Sequence, residues 1–256
     1  MRNSSEALSS NFLSAKRSGN DSPPAIFCPV RVYLLLTASM KNKFWLAIIL
    51  LVVVLAGLAV IRTSPIKQKE HDAIVALQTS QTPASIKFFQ VVSNSISFIS
   101  LGIPAIFLIT GLVKKKKEFT RKGLLILLSI ALAGTISATI KRTLKEPRPY
   151  EVDTRITQLS VGGSNSFPSG HTAEASVAAL GFSLILFRTP LSVVLSIIWA
   201  LFIMLSRIVL GVHNFTDIAA GFVVGCLGLL IMQKIFERFE KNREMKQSSQ
   251  KPKAKS

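Results

Sequence analysis

The sequence predicts an all-α polytopic membrane protein, a bundle of six transmembrane helices with both termini cytoplasmic. Three observations carry that prediction. Of 256 residues, 49% are hydrophobic, and they are gathered in blocks rather than spread at amphipathic spacing. A helix rises about 1.5 Å per residue, so crossing a hydrocarbon core about 30 Å thick takes roughly 20 mostly apolar residues, which the blocks supply. The net charge of +18 is also unevenly placed. With the blocks taken as alternating spans and the amino terminus inside, 21 of the 31 Lys and Arg fall on the inner side and 10 on the outer. That bias satisfies the positive-inside rule and argues against a nucleic-acid partner as the reason for the charge.

Residues 1–39 stand apart: rich in Ser and Asn, with Pro23-Pro24 and an apolar run too short to span. They read either as a disordered cytoplasmic tail or as an over-extended reading frame, because Met40-Lys41-Asn42-Lys43 before Phe44 looks like a natural start. The first span is 44–61. Between Arg62 and Lys87, the six residues from Asp72 set Ala73, Ile74 and Leu77 on one helical face. That segment reads equally as a helix on the membrane surface or as a solvated loop. The second block, 88–113, contains Pro104 and a polar stretch around Asn94, so a kink is expected there. Lys114–Lys117 is a topology anchor that also suits anionic membrane lipid. The third block is 124–140. The fourth, 172–187, is short and begins with small residues; the fifth is 191–210 and the sixth 218–236. From Glu237 the chain is basic and rich in Lys, Ser and Gln, which predicts a disordered cytoplasmic tail over 237–256. The membrane domain is therefore expected over 40–236. Cys28 and Cys226 offer neither a disulfide framework nor a CxxC metal site.

The topology puts three polar clusters on the outer side. Lys141 follows the third span, with Arg148-Pro149 in the loop beyond it. Pro168-Ser169-Gly170-His171 leads into the fourth span. Ser206-Arg207 ends the fifth, and His213 and Asp217 bridge to the sixth. No cluster need cross the membrane to meet another. Arg suits phosphate because its planar fork donates bidentate hydrogen bonds, while Lys adds a point charge. Lys141, Arg148 and Arg207 are the candidates. Ser169-Gly170 stand at a helix start, where free N–H groups and the helix dipole favour an anion. His213 and Asp217, four apart, share a face if the last helix begins near His213. A carboxylate there holds the imidazole tautomer and leaves the far nitrogen to attack phosphorus. His171 is then available as general acid and base. Each residue alone also fits a duller role. Lys and Arg beside spans are commonly interfacial anchors, and Pro168 and Gly170 could simply break the chain. Arg207 is the hardest to explain that way, because it lies among Met204, Leu205, Ile208 and Val209, where an unpaired charge is costly.

The joint spacing resembles the type 2 phosphatidic acid phosphatase superfamily, whose signature is Lys-x6-Arg-Pro, then Pro-Ser-Gly-His, then Ser-Arg-x5-His-x3-Asp. Lys141 to Arg148-Pro149, Pro168 to His171, and Ser206-Arg207 to His213 and Asp217 match it without a departure. The resemblance covers about residues 44–236. It implies a metal-independent, cofactor-free phosphohydrolase acting on a lipid phosphate or pyrophosphate. His213 would be the nucleophile that forms a phosphohistidine, Asp217 its partner and His171 the acid and base. Lys141, Arg148, Ser169, Gly170 and Arg207 would hold the phosphoryl oxygens. A bacterial inner-membrane location with the site facing the periplasm or exterior is expected. Phosphatidate and phosphatidylglycerophosphate are the preferred substrate types, with undecaprenyl pyrophosphate, and lipid A dephosphorylation or phosphotransfer, as alternatives within the family. Outside the hydrolases, the related vanadium haloperoxidases lack six lipid-length spans, and a six-helix anion transporter would use the same cations without chemistry.

Overall fold

A computed structural model describes residues 40–61 and 65–249. Among these residues the structure is helical, in the order α1 (Met40–Ile61), α2 (Ile66–Thr79), α3 (Pro83–Asn94), α4 (Ile96–Val113), α5 (Lys117–Leu144), α6 (Pro149–Val152), α7 (Gly170–Gly181), α8 (Pro190–Val209) and α9 (Phe215–Ser249). A single π turn, Phe182–Leu186, continues α7. The segment 1–39 and Cys28 lie outside the described residues.

Among the described residues, five helical stretches are long and apolar enough to cross a membrane: α1, α3 with α4, α5, α8 and α9. Their outward faces are apolar, as a lipid-facing surface requires, with Trp45, Ile49, Phe98, Ile106, Leu191 and Leu201 all exposed. The fourth expected span differs. α7 and its π turn together are shorter than the other spans and sit in the middle of the bundle, packed against α4, α5, α8 and α9. Small residues allow this. Ala173, Ala175, Ser176, Ala178 and Ala179 are all buried. A Cβ at Gly221 or Gly225 of α9 would collide with the backbone oxygens of Ser169 and Ala173. Two glycines four apart thus let α9 lie directly against the amino-terminal half of α7, the small-xxx-small logic of membrane helices.

The expected break in the second block falls at Ser95, in the polar stretch around Asn94, while Pro104 stays inside α4. Ser95 Oγ donates to the Val92 carbonyl at 2.7 Å, a local bond that competes with helix continuation. The segment after Arg62 is a helix, α2, but its apolar face does not rest on a lipid surface. Ile74 is fully buried with Ile156, Ile208 and Ile218. The tail expected to be disordered from 237 is helical as far as Ser249. Good helix formers dominate that stretch, and Glu240 pairs with Arg121 of α5 at 2.6 Å, anchoring it to the bundle.

Candidate active site

The three clusters converge at one end of the bundle. Lys141 lies in the last turn of α5, which ends in the left-handed conformation at Lys145 and so turns the chain sharply. Arg148 is the N-cap of α6, where its backbone N–H donates to Glu151 Oε2 at 2.7 Å. Ser169 is the N-cap of α7, its hydroxyl accepting from Thr172. Its backbone N–H donates to the Asp217 carbonyl at 2.9 Å, stitching the start of α7 to the first turn of α9. Arg207 lies in the last turn of α8, and His213 in the connector 210–214. Arg148, Ser169, Arg207, His213 and Asp217 are buried, while Lys141, Gly170 and His171 keep partial exposure. His171 is within electrostatic reach of Arg207, His213, Arg148 and Lys141.

The histidine–carboxylate pair has a defined orientation. Arg148 Nη1 lies 3.4 Å from His213 Nε2 and donates to the Val212 carbonyl at 2.7 Å. A guanidinium only donates, so Nε2 presents its lone pair and the ring proton belongs on Nδ1. Nδ1 faces Asp217 Oδ2 at 3.5 Å, longer than a normal hydrogen bond. The same carboxylate oxygen accepts the Ser166 hydroxyl at 2.5 Å and the Asn214 N–H at 2.8 Å. Burial pushes the His213 imidazole down to about 4, although Asp217 pulls the other way. At neutral pH the ring is uncharged and its Nε2 lone pair is available.

The three cations are held by neutral groups. Lys141 Nζ donates to the Asn165 and Ser166 carbonyls. Arg148 donates to the Ser164 carbonyl at 3.2 Å and the Asn165 carbonyl at 3.3 Å. Arg207 donates to Ser93 Oγ at 2.6 Å, with Ser160 and Val161 at 3.4 Å. Its Nε–H is buried and has no hydrogen-bond partner among the described residues. Such a cluster can neutralise a tetrahedral oxyanion, and the unsatisfied N–H of Arg207 would gain an acceptor from one. The described residues contain no group of three or more His, Cys, Asp or Glu placed to hold a metal ion.

Sequence reasoning missed several residues that support this geometry. Ser166 bridges Asp217 and His213, and Asn165 fastens the loop to α5 through its side-chain amide on the Lys141 carbonyl at 2.9 Å. Ser93 holds Arg207 from α3. From α2, Glu70 accepts from the Thr216 N–H at 2.7 Å and so caps the helix that carries Asp217. Lys67 of α2 pairs with Glu146 beside Arg148. The available signal was the polar run Gly162–Ser166. A Cβ on Gly162 would lie 2.6 Å from Tyr150 Oη and 2.8 Å from the Arg148 side chain. Gly163 has φ +74°, a left-handed backbone that glycine takes without strain.

Fold and site together describe an integral membrane helical protein in which three cations gather near a buried histidine–carboxylate pair. Residues 122–241 match the PAP2 superfamily. All eight candidate site residues lie within the matched segment. Among solved structures, a transmembrane PAP2-type phosphatidylglycerolphosphate phosphatase from Bacillus subtilis is similar, with a TM-score of 0.63 at 23% identity, covering 75% of this chain and 96% of that one. LpxE from Aquifex aeolicus is also similar, with a TM-score of 0.53 at 23% identity, covering 64% and 93%. At these identities the two structures share a fold with this chain.

Proposed function

We propose that the protein is a membrane phosphatase that hydrolyses the terminal phosphate of a lipid phosphate or pyrophosphate, of the phosphatidate or phosphatidylglycerophosphate type, through a phosphohistidine. The observation that carries the reading is the His213 ring: its Nε2 lone pair faces Arg148 in a cluster of three cations, while Nδ1 faces Asp217. The phosphoryl group displaces the Arg148 contact at Nε2, and Lys141, Arg148 and Arg207 take its oxygens. Ser169 and Gly170, at the start of α7, add the positive end of a helix. Nε2 then forms a bond to phosphorus as the bond from phosphorus to the lipid oxygen breaks. His171 gives its proton to that departing oxygen. In the second half, His171 takes a proton from water, the hydroxide attacks phosphorus, and the bond to Nε2 breaks to release inorganic phosphate. Asp217 stabilises the charge that His213 gains when phosphorylated.

The fold similarity to a transmembrane phosphatidylglycerolphosphate phosphatase supports a lipid substrate reaching the site sideways between helices. The charge bias supports α7 as a sixth crossing, both termini inside and the site outside. The deciding assay is phosphate release by purified protein from phosphatidate, phosphatidylglycerophosphate, undecaprenyl pyrophosphate and lipid A. Wild type should release phosphate, with EDTA present, and His213→Ala should not. A Mg²⁺ requirement would contradict the mechanism, and equal inactivity of both proteins across the panel would favour an anion pathway without chemistry. For topology, Gly163→Cys should react with an impermeant thiol reagent outside intact cells; labelling only after lysis would reverse the orientation.

A further inference from the structure

Glu174 is an ionisable residue three positions after His171 on α7, and the catalytic scheme above leaves it without a task. Positions three apart share a helix face, with the second about 4.5 Å further along the axis. In the first two turns of α7, Gly170, His171 and Glu174 are the positions that retain partial exposure; the others through Val177 are buried. Glu174 therefore opens onto the same side as His171, one turn deeper in the bundle. Ser100 of α4 donates its hydroxyl to Glu174 Oε1. Oε2 accepts no hydrogen bond among the described residues. Ile99 and Ile103, which flank Ser100 on α4, line an apolar groove of about 540 Å³ with Phe182, beyond the end of α7, and with Leu195 and Trp199 of α8.

A carboxyl at membrane depth is costly, and such residues usually face a substrate path. Joining α7 to α4 would need only Ser100 and a neutral amide or hydroxyl. The order along this side is instead phosphate cluster, one carboxyl with a vacant acceptor oxygen, then hydrocarbon surface. A lipid phosphate has the same order when a hydroxyl lies on the carbon next to the phosphate-bearing one. We infer that Glu174 is a specificity-determining residue whose Oε2 accepts a hydrogen bond from that hydroxyl, while the lipid tail follows the apolar groove. The protein would thus favour hydroxyl-bearing glycerol phosphates over isoprenoid pyrophosphates, which place an anionic second phosphate with no hydroxyl to donate at this depth, against a carboxyl. The inference rests on the phosphatase reading above.

The test compares kcat/KM in detergent micelles for 1-oleoyl lysophosphatidate and its 2-deoxy analogue, which lacks only the hydroxyl. A hydrogen bond to a charged group is worth about ten- to hundredfold in such a ratio. Wild type should show that preference, Glu174→Leu should bring the ratio to about one, and Glu174→Gln, whose amide oxygen still accepts, should keep part of it. Glu174→Gln also retains a partner for Ser100, which guards against misfolding as the cause. A wild-type ratio of one, or equal losses on both substrates in Glu174→Leu, overturns the assignment and leaves the phosphatase reading standing. Wild type inactive on both of these and on the wider lipid panel overturns the phosphatase reading itself.

Discussion

Replacing Ser166 by Ala tests the one contact that most directly fixes the histidine–carboxylate pair. Ser166 is fully buried, and its hydroxyl donates to Asp217 Oδ2 at 2.5 Å while lying 3.4 Å from His213 Nδ1. Its backbone groups serve separately, the N–H donating to the Glu146 carbonyl and the carbonyl accepting from Lys141, and Ala preserves both. The substitution thus removes one charge-assisted bond and leaves Asp217 Oδ2 with Asn214 N–H and the longer His213 contact. A hydrogen bond to a charged group contributes about 1.5–3 kcal/mol. With about 1.4 kcal/mol per factor of ten, the loss in kcat should be about 10- to 150-fold if the whole effect is felt in the transition state. KM should change little, since Ser166 acts through Asp217 and His213 rather than on the lipid. Initial rates of phosphate release measure this directly, and Ser166→Thr, which keeps the hydroxyl, should recover most of the activity. Wild-type kcat in Ser166→Ala would refute the argument that this hydroxyl orients the pair.

Two further expectations concern the same pocket. The His213 imidazole is displaced by burial from an ordinary 6.5 to about 4, so ¹⁵N-histidine NMR should find it neutral from pH 8 down to about 5. Because the folded ring resists protonation more than the unfolded one, its contribution to stability is complete above about pH 6.5 and declines as pH falls toward 4. Asp217→Asn removes the opposing pull and should lower the midpoint further; a midpoint at or above 6.5 in wild type would contradict the burial argument. Gly162→Ala should reduce kcat/KM at least tenfold, because its methyl must displace Tyr150 Oη or the Arg148 side chain. Gly163→Ala, with no neighbour closer than 3.7 Å, should cost mainly the left-handed strain of about 1–2 kcal/mol in stability. The reverse order of effects on activity would mean that the loop does not press on Arg148.

The apolar blocks and the three clusters were legible because each depends on local composition or on fixed spacing. Lys141, Arg148 and Asp217 needed only their positions relative to spans. The polar stretch around Asn94 pointed to the break at Ser95, but the choice between it and Pro104 was harder, since Pro104 is the stronger helix breaker in isolation. In the bundle Pro104 is buried, with its carbonyl against Gly123, and the hydroxyl of Ser95 turns back on Val92 instead. The role of α2 was hidden for a similar reason. Glu70 and His71 look like a solvated face, yet Glu70 caps α9, His71 lies 3.5 Å from Asp153, and both are buried. Those contacts exist only between segments distant in sequence. Helical continuation to Ser249 also depends partly on a tertiary pair, Arg121 with Glu240.

The way the cations are held is itself an argument for an anionic occupant. A protein selecting only for stability would set acids against Lys141, Arg148 and Arg207, because a buried charge without a counter-charge is expensive. Among the described residues, no carboxylate lies within ion-pair distance of any of the three side chains; carbonyls and hydroxyls hold them. The nearby acids are committed elsewhere: Asp217 Oδ2 to Ser166, Asn214 and His213, Glu151 Oε2 to the Arg148 backbone N–H, and Glu146 to Lys67. Neutral acceptors fix the positions of the cations without cancelling their charge. The positive field is therefore built in advance, so that in the proposed reaction a phosphoryl group gaining charge on its equatorial oxygens would meet dipoles and cations that need no reorganisation. Moving one acid into the cluster, as in Ser93→Asp beside Arg207, should for that reason raise stability while reducing phosphate release. A variant more stable and equally active would show that the uncompensated charge has no part in the chemistry.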